Sequence, residues 1–341
     1  MIDIIRSKKK WDAVLKMVDI YDFYHTYDYH HIIKNKLDEP ILVKYTEKDY
    51  IIAIPFLMRP IYGTPYYDLT SVYGYSGPIT KNINTQFDNG DYIKDFKIYL
   101  TSQNIISIFS RLNPFIANQR LCIQGLGEIT SLSKVVNIDL TLDLEEQLRA
   151  YHKRLRTHIN KARRLCSIKI AESKEEVKAF IDLYYKTMER VNAKKYYFFD
   201  EKYFFDLLNS KDYNTRILLA IENETNAIVS GAMFITTNEI VQYHLSGTDE
   251  EKLDLYPNKL LIDEMRIIAT QENCRFFNLG GGVGNQEDSL FHFKSGFSKD
   301  FKDFNLWKVI VNQEVYDQLT LEKSIDSQTN YFPLYRSLDL N

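Results

Sequence analysis

Short apolar runs of strand character fill the first 140 positions, and helical spacing takes over after them. ILVKY at 41–45 and IIAIPFLM at 51–58 are rich in β-branched and aromatic residues, and the EKD between them reads as a hairpin turn. Upstream, Trp11 to Ile33 begins with helical spacing and becomes aromatic-rich. IYGTPYYDLTSVYGYSGPI, dense in Tyr, Gly and Pro, is expected to be loop with short strands. A helix over 91–102 and strands at SIFSRLNP and VVNIDL complete a mixed sheet with helical cover.

From about residue 142 the pattern changes. Leu144, Leu148, Tyr151, Leu155, Ile159, Ala162 and Cys166 recur in steps of three and four, which predicts one face of a single helix. Its other face carries Lys153, Arg154, Arg156, Lys161, Arg163 and Arg164, a run suited to phosphates or simply to solvent. The predicted order is then strand (SIKIAE), helix (175–192), aromatic segment, three strands joined by NETN and TNE turns, helix (KLLIDEMRIIATQENC) and strand (RFFNLGG). Two domains follow from this, 1–141 and 142–341, each α/β (α+β) with a mixed sheet flanked by helices.

Composition narrows the function. At 341 residues, with 45% hydrophobic and 26% charged positions, the chain is long enough for two globular cores. Its formal charge of −3 argues against a dedicated DNA or RNA binder. Cys122, Cys166 and Cys274 form no CxxC pair, the usage of a reduced, cytoplasmic protein. No apolar run reaches the ~20 residues of a membrane span. Lys8, Lys9 and Lys10 are followed by Trp11 and Asp12 rather than a signal-peptide core.

Several places invite chemistry. Asn258, after Pro257, is placed to cap a helix starting at Asn258 or Lys259, whose terminus would attract a pyrophosphate. Gly280, Gly281, Gly282 and Gly284 follow a strand, but they lack the GxGxxG spacing of a dinucleotide loop and no helix opens on them. Lys294, flanked by Phe293, is either a phosphate or carboxylate ligand or a surface lysine. Asp68, Tyr73 and Tyr75 lie on the Gly/Pro-punctuated stretch, where loop aromatics beside a carboxylate suit a sugar or another polar ligand, or pack the loop. His244 sits in a strand with Gln242 and Ser246 expected on the same face, and is a general-base candidate or a structural residue. HExxH, GxSxG and metal-spaced Cys/His clusters are missing, so no metal is expected.

Taken in order, RLRTHINKARR, LYYKTMERVNAKKYYFF, YHLSGTD with YPNKLLIDEMRIIA, RFFNLGGG and LFHFKSGFS resemble the FemAB-like branch of the GNAT superfamily, as does YGYSGP. The likeness spans roughly 40–310 and implies two tandem GNAT-like lobes with a cleft between them. That branch includes peptidoglycan-bridge aminoacyltransferases, which use charged tRNA, and sugar or lipid N-acyltransferases, which use acyl-CoA. The absence of a long helical hairpin insertion and of a basic balance makes the chain more similar to nucleotide-sugar N-acyltransferases that build surface polysaccharides, with tRNA not the expected partner. The resemblance then implies acyl-CoA as co-substrate and a nucleotide-linked amino deoxyhexose as acceptor. Ser246, Gly247, Thr248, Asn258 and Lys259 would hold the donor, and Tyr73, Tyr75 and Lys294 the acceptor. His244 or Asp68 would take the proton. A peptidoglycan-bridge aminoacyltransferase and a non-catalytic pair of GNAT lobes are the alternatives.

Overall fold

The computed structural model describes residues 1–322 and 331–340. Contacts divide the chain into two units, one of 1–132 with 303–341 and one of 133–302.

The first unit contains β1 (Ile2–Ile5), α1 (Lys8–Leu15), α2 (Tyr27–Ile33), β2 (Glu39–Glu47), β3 (Tyr50–Pro60), β4 (Tyr67–Thr70), β5 (Ile79–Lys81), α3 (Gly90–Ser102), β6 (Ile105–Arg111) and α4 (Gln119–Ile123). β2 and β3 pair antiparallel from Glu39↔Met58 to Glu47↔Tyr50, closed by the expected turn at Lys48 and Asp49. Alternate residues serve opposite faces. Ile41, Val43, Ile52, Ile54 and Phe56 meet Tyr92, Phe96 and Leu100 of α3, whereas Leu42 and Ala53 pack under Trp11 and Val14 of α1. Burial on both faces is why these strands read as nearly continuous apolar runs.

The second unit contains the inner part of β7 (Glu128–Asp139), α5 (Leu144–Ala150), α6 (Lys153–Leu165), β8 (Cys166–Ile170), α7 (Lys174–Arg190), α8 (Glu201–Asn209), β9 (Asn214–Glu222), β10 (Ile228–Thr237), β11 (Ile240–Thr248), α9 (Pro257–Gln271), β12 (Phe276–Gly280) and α10 (Ser289–Lys294). The single helix expected over 144–166 is instead two. Tyr151 leaves helical geometry so that its hydroxyl donates to Asp263 at 2.9 Å and its ring packs on Phe297. The His152 N–H then donates to the Gly296 carbonyl, and the His152 ring caps α6 by accepting from the Arg154 N–H. A tertiary contact has overridden a continuous apolar stripe. Leu155, Ile159 and Ala162 of α6 pack with Leu261, Met265 and Ala269 of α9 in the unit's core.

The chain returns through β13 (Asp300–Ile310) and α11 (Gln313–Glu322) to a short 3-10 segment at Leu334–Leu340. Trp307 of β13 is fully buried in the first unit's core, and its indole N–H donates to the Leu126 carbonyl at 2.7 Å. The expected division at 141/142 therefore gives way to a discontinuous first unit.

The strand orders within the two units correspond. One runs β1-β2-β3-β4-β6-β13 and the other β8-β9-β10-β11-β12-β7. Each is antiparallel except for one parallel pair, β4 with β6 or β11 with β12, joined through a helix. Each is completed by a strand from the other end of the chain order: β13 beside β6, and β7 beside β12. The architecture is thus a tandem α/β repeat, although no sequence repeat is visible.

Two buried histidines of the first unit make its stability sensitive to acid. Burial pushes His25 down to about 4 and His30 to about 3. Both are neutral when folded, whereas the unfolded chain takes up protons below about pH 6.5. Stability is therefore fully present above pH 6.5 and falls as pH drops, by up to about 1.4 kcal/mol per pH unit for each histidine. Urea unfolding should show little change from pH 7.5 to 6.5 and a progressive decline from 6.5 to 4.5; a flat profile over the lower part of that window would contradict it.

Candidate active site

The second unit's parallel pair is short. β11 and β12 are paired only at Ile240↔Phe276, Val241↔Phe277 and Gln242↔Asn278, although β11 runs six residues further. The departure begins at a β-bulge. Phe234 and Met233 are adjacent on β10 but oppose Tyr243 and Leu245, leaving His244 as the extra residue. Bulges bend the strand that carries them and re-aim its side chains. Tyr243 and Ser246, three apart, therefore come together, with the Tyr243 hydroxyl donating to Ser246 Oγ at 2.5 Å. His244 turns to α8, where its Nε2 lies 2.7 Å from the Tyr203 hydroxyl. The expectation that Gln242, His244 and Ser246 share one face is corrected on this point: strict alternation fails across the bulge.

Beyond the bulge, α7 fixes the strand. The Thr187 hydroxyl accepts from the Thr248 N–H at 3.0 Å, and Arg190 donates to the Thr248 carbonyl at 3.1 Å. The Ser230 hydroxyl donates to the Gly247 carbonyl at 2.9 Å. Since the Thr248 N–H points away from β10, strand alternation directs the Ser246 N–H to that same edge, the one β12 has left. Gly247 is sterically obligatory, because a Cβ there would lie 2.4 Å from backbone atoms of Leu183 and Tyr184.

The first unit's parallel pair does not open in this way. Its ladder continues past Thr70↔Phe109, with the Ser71 N–H donating to Phe109 and the Ser76 N–H to Arg111. Of the two parallel pairs, it is the second unit's in which one strand runs on past its partner with that edge uncovered by the pair.

Past β11 stands the N-terminus of α9. The expected cap is shifted: the helix starts at Pro257, the N-cap is Tyr256 in the left-handed region, and Asn258 hydrogen-bonds the Tyr243 hydroxyl instead. Tyr256 stacks on His158 with centroids 3.7 Å apart, and Lys259 Nζ lies 2.7 Å from His158 Nδ1. Burial and the like charge of Arg154 lower the Lys259 pKa, and His158 is lowered by burial and then by Lys259, Arg154 and Lys161. Cations that depress one another at a helix N-terminus make a place for an anion.

After β12, Gly282 turns so tightly that a Cβ would meet the Gln286 carbonyl at 2.0 Å. Lys294 is buried rather than snorkelling, and its ammonium donates to the Gly281 carbonyl at 2.8 Å. Burial lowers its pKa to about 8, against the pull of Asp288. In the first unit, Gly74 lets the loop pass under Tyr24, and Tyr29 donates to the Tyr73 carbonyl at 3.0 Å. Tyr75 is packed edge-on against Tyr24 and Phe304, while Tyr73 is 46% exposed. Asp68 is fully buried, with both oxygens engaged by guanidinium groups of Arg59 and Arg336. Its place is to hold two arginines, which removes the geometric basis for expecting it to act as a base.

Tyr203, Tyr243, Thr187 and Arg190 were not singled out by the sequence. The aromatic segment YYFFDEKYFF was visible, but nothing in it distinguished the one tyrosine that reaches His244. Among the described residues, no group of His, Cys, Asp and Glu side chains is disposed to hold a metal, and no helix is long and apolar enough to cross a membrane.

Residues 218–304, which include β10 to α10, match the FemAB family model. In fold the chain is similar to the crystal structure of FemX, with a TM-score of 0.71 at 12% identity over 93% of this chain and 99% of that one. A conserved protein of unknown function from Bacteroides thetaiotaomicron VPI-5482 superposes with a TM-score of 0.57 at 10% identity, covering 91% of this chain and 100% of that one. No curated protein matches the sequence.

The Gly247 packing gives a direct test. Gly247→Ala should force α7 off β11 and cost about 1–3 kcal/mol, as overpacking does. A thermal melt of the variant indistinguishable from the parent would show that the strand edge is not clamped there.

Proposed function

We propose that this chain, FemAB-like and of tandem GNAT-like build, transfers an acyl group from an activated ester to an amine. The observation that carries this is the opened edge of β11 after His244, which offers the Ser246 N–H beside a cationic helix terminus. An ester carbonyl laid along that edge would meet a donor positioned for its oxyanion. The phosphates of the same donor would meet Lys259 and Arg154.

The donor class follows from the resemblance and the charge pattern. Likeness to FemX and to the FemAB family favours aminoacyl-tRNA, and the basic side of α6 supports it. Arg163 there is tied to Asp263 and Glu264, and Lys161 to Asp254, while Thr157, Asn160, Arg163 and Arg164 line an open depression of about 520 Å³. Acyl-CoA with a nucleotide-linked amino sugar is the second reading, favoured by the net charge of −3.

In either case a neutral amine attacks the carbonyl carbon, the C–N bond forms, and the tetrahedral intermediate expels the ribose hydroxyl or the thiol. The amine proton ends on that leaving group. Burial pushes His244 down to about 4. Such a ring cannot deprotonate a resting ammonium at neutral pH, but the nitrogen becomes strongly acidic as it bonds to the carbonyl. The proposed role of His244, with Tyr203, is to receive that late proton and pass it on. Lys294 is proposed to order the turn after β12 beside the ligand.

Purified protein should acylate an amine acceptor with aminoacyl-tRNA, and more weakly or not at all with acyl-CoA; the reverse order would favour the second reading, and no transfer from either would oppose the assignment. His244→Gln should lower kcat by roughly 10²-fold with donor affinity retained. The parent's rate should rise with the acceptor amine's own ionisation and show no inflection between pH 5 and 7. An inflection near 6.5 that disappears in His244→Gln would mean that the histidine titrates as an ordinary base.

A further inference from the structure

His158 of α6 is held between a tyrosine and a lysine. The Tyr256 ring stacks on it with centroids 3.7 Å apart and planes 11° from parallel. Lys259 Nζ lies 2.7 Å from its Nδ1 and 4.7 Å from the centroid of the Tyr256 ring. At 2.7 Å one nitrogen donates and the other accepts. An ammonium ordinarily keeps its proton to about four pH units above an imidazolium, so Lys259 donates and His158 accepts. The imidazole is therefore neutral, with its own proton on Nε2.

The charged groups around the ring come from three elements. Arg154 and Lys161, one turn before it and one turn after, share its face of α6, and Lys259 approaches from α9. The 3-10 segment Glu250–Leu255 supplies Asp254, which is committed to Lys161 through its carbonyl at 2.8 Å and its carboxylate at 3.5 Å. Among the described residues no carboxylate pairs with Lys259 or Arg154, and Arg154 depresses Lys259. A proton added to His158 in the free protein would break the bond from Lys259 and set two cations together. Burial, then Lys259, Arg154 and Lys161, accordingly hold its pKa below the usual imidazole value. A phosphate reverses this. Its oxygens take the Lys259 ammonium, Nδ1 is freed to bind a proton, and the imidazolium becomes a further donor to the same group. Tyr256 accommodates the change, because the face of a phenol ring attracts a cation laid on it.

We propose that His158 is a ligand for the donor's phosphate and takes up one proton from solvent as that phosphate binds. This rests on the proposed placement of the donor's phosphates beside Lys259 and Arg154. The position suits the role: Asn258, next to Lys259, hydrogen-bonds Tyr243, and Tyr243 hydrogen-bonds Ser246 on the opened edge. Affinity is then highest below the free ring's titration and falls as pH rises through that of the bound form.

The test follows the His158 ring by nuclear magnetic resonance in histidine-labelled protein, its signal assigned by loss in His158→Gln. Sulfate is the probe, because it stays a dianion throughout the titration and any proton taken up belongs to the protein; chloride at equal ionic strength is the control. In chloride the ring should titrate below about pH 6.5. Saturating sulfate should raise the midpoint by about one unit or more, equivalent to a tenfold or greater preference for the protonated ring. In Lys259→Gln the chloride midpoint should rise toward the ordinary value and the sulfate shift should shrink. Both side chains are partly exposed, so neither substitution opens the core. A midpoint that is the same in sulfate and chloride, or a sulfate affinity as pH-dependent in His158→Gln as in the parent, would overturn the proposal. Coenzyme A and the ribotrinucleotide cytidylyl-cytidylyl-adenosine, titrated in the same way, separate the two donor sources, and a shift with either supports it. A sulfate shift that neither reproduces would also overturn it, the site then holding an adventitious ion only. The ring is read without turnover, so the expected shifts in a protein that transfers no acyl group would contradict the proposed function alone.

Discussion

One extra residue in β11 governs the second unit. His244 has no counterpart on β10, and after it the strand bends away from β12, its parallel neighbour. Two consequences follow from the same displacement. A stretch of backbone is left with an edge that no strand covers, and Tyr243, Ser246 and Asn258 are drawn into one hydrogen-bonded group at the start of α9. An open edge is normally a liability in a folded protein. Here α7 steadies it through Thr187, Arg190 and the close approach to Gly247, so the strand stays ordered without its neighbour.

The two units share a strand order and differ where function would separate them. In the first, the parallel pair stays closed and the loop after β4 is packed by Tyr24, Asn113 and Gln119. Its charge lies in an arginine network around a buried carboxylate. In the second, the pair opens and the charge lies at a helix terminus. The same strand order thus carries an opened strand edge in one unit and a closed, tightly packed loop in the other.

Much of the framework was legible in the sequence, because strand and helix periodicities survive wherever one face is buried. β2, β3, α3, β9, β10, β11 and α9 lie close to where the apolar spacing put them. Three features were not legible. The helix break at Tyr151 depends on a hydroxyl reaching Asp263, 112 residues away in sequence. The membership of β13 in the first unit depends on Trp307 finding Leu126. The bulge at His244 depends on pairing with β10, which a single strand's alternation does not reveal. Of the site residues, Ser246, Gly247 and Thr248 stand on the opened edge. Asn258 and Lys259 stand at its helix terminus, Asn258 as a tether instead of a cap. Asp68 was visible as a carboxylate on a Gly/Pro-punctuated stretch, but its burial in β4 and its two arginine partners, one 268 residues distant, were not.

The most direct measurement of where the donor is held is peptide-resolved hydrogen exchange with a non-hydrolysable donor analogue, run with an aminoacyl-RNA mimic and with an acyl-CoA thioether. The account predicts slowed exchange at 243–248 and 279–284 with the bound donor, and unchanged exchange at 70–78. Protection confined to 70–78 and 109–113, with β11 unaffected, would place the donor on the first unit and contradict it.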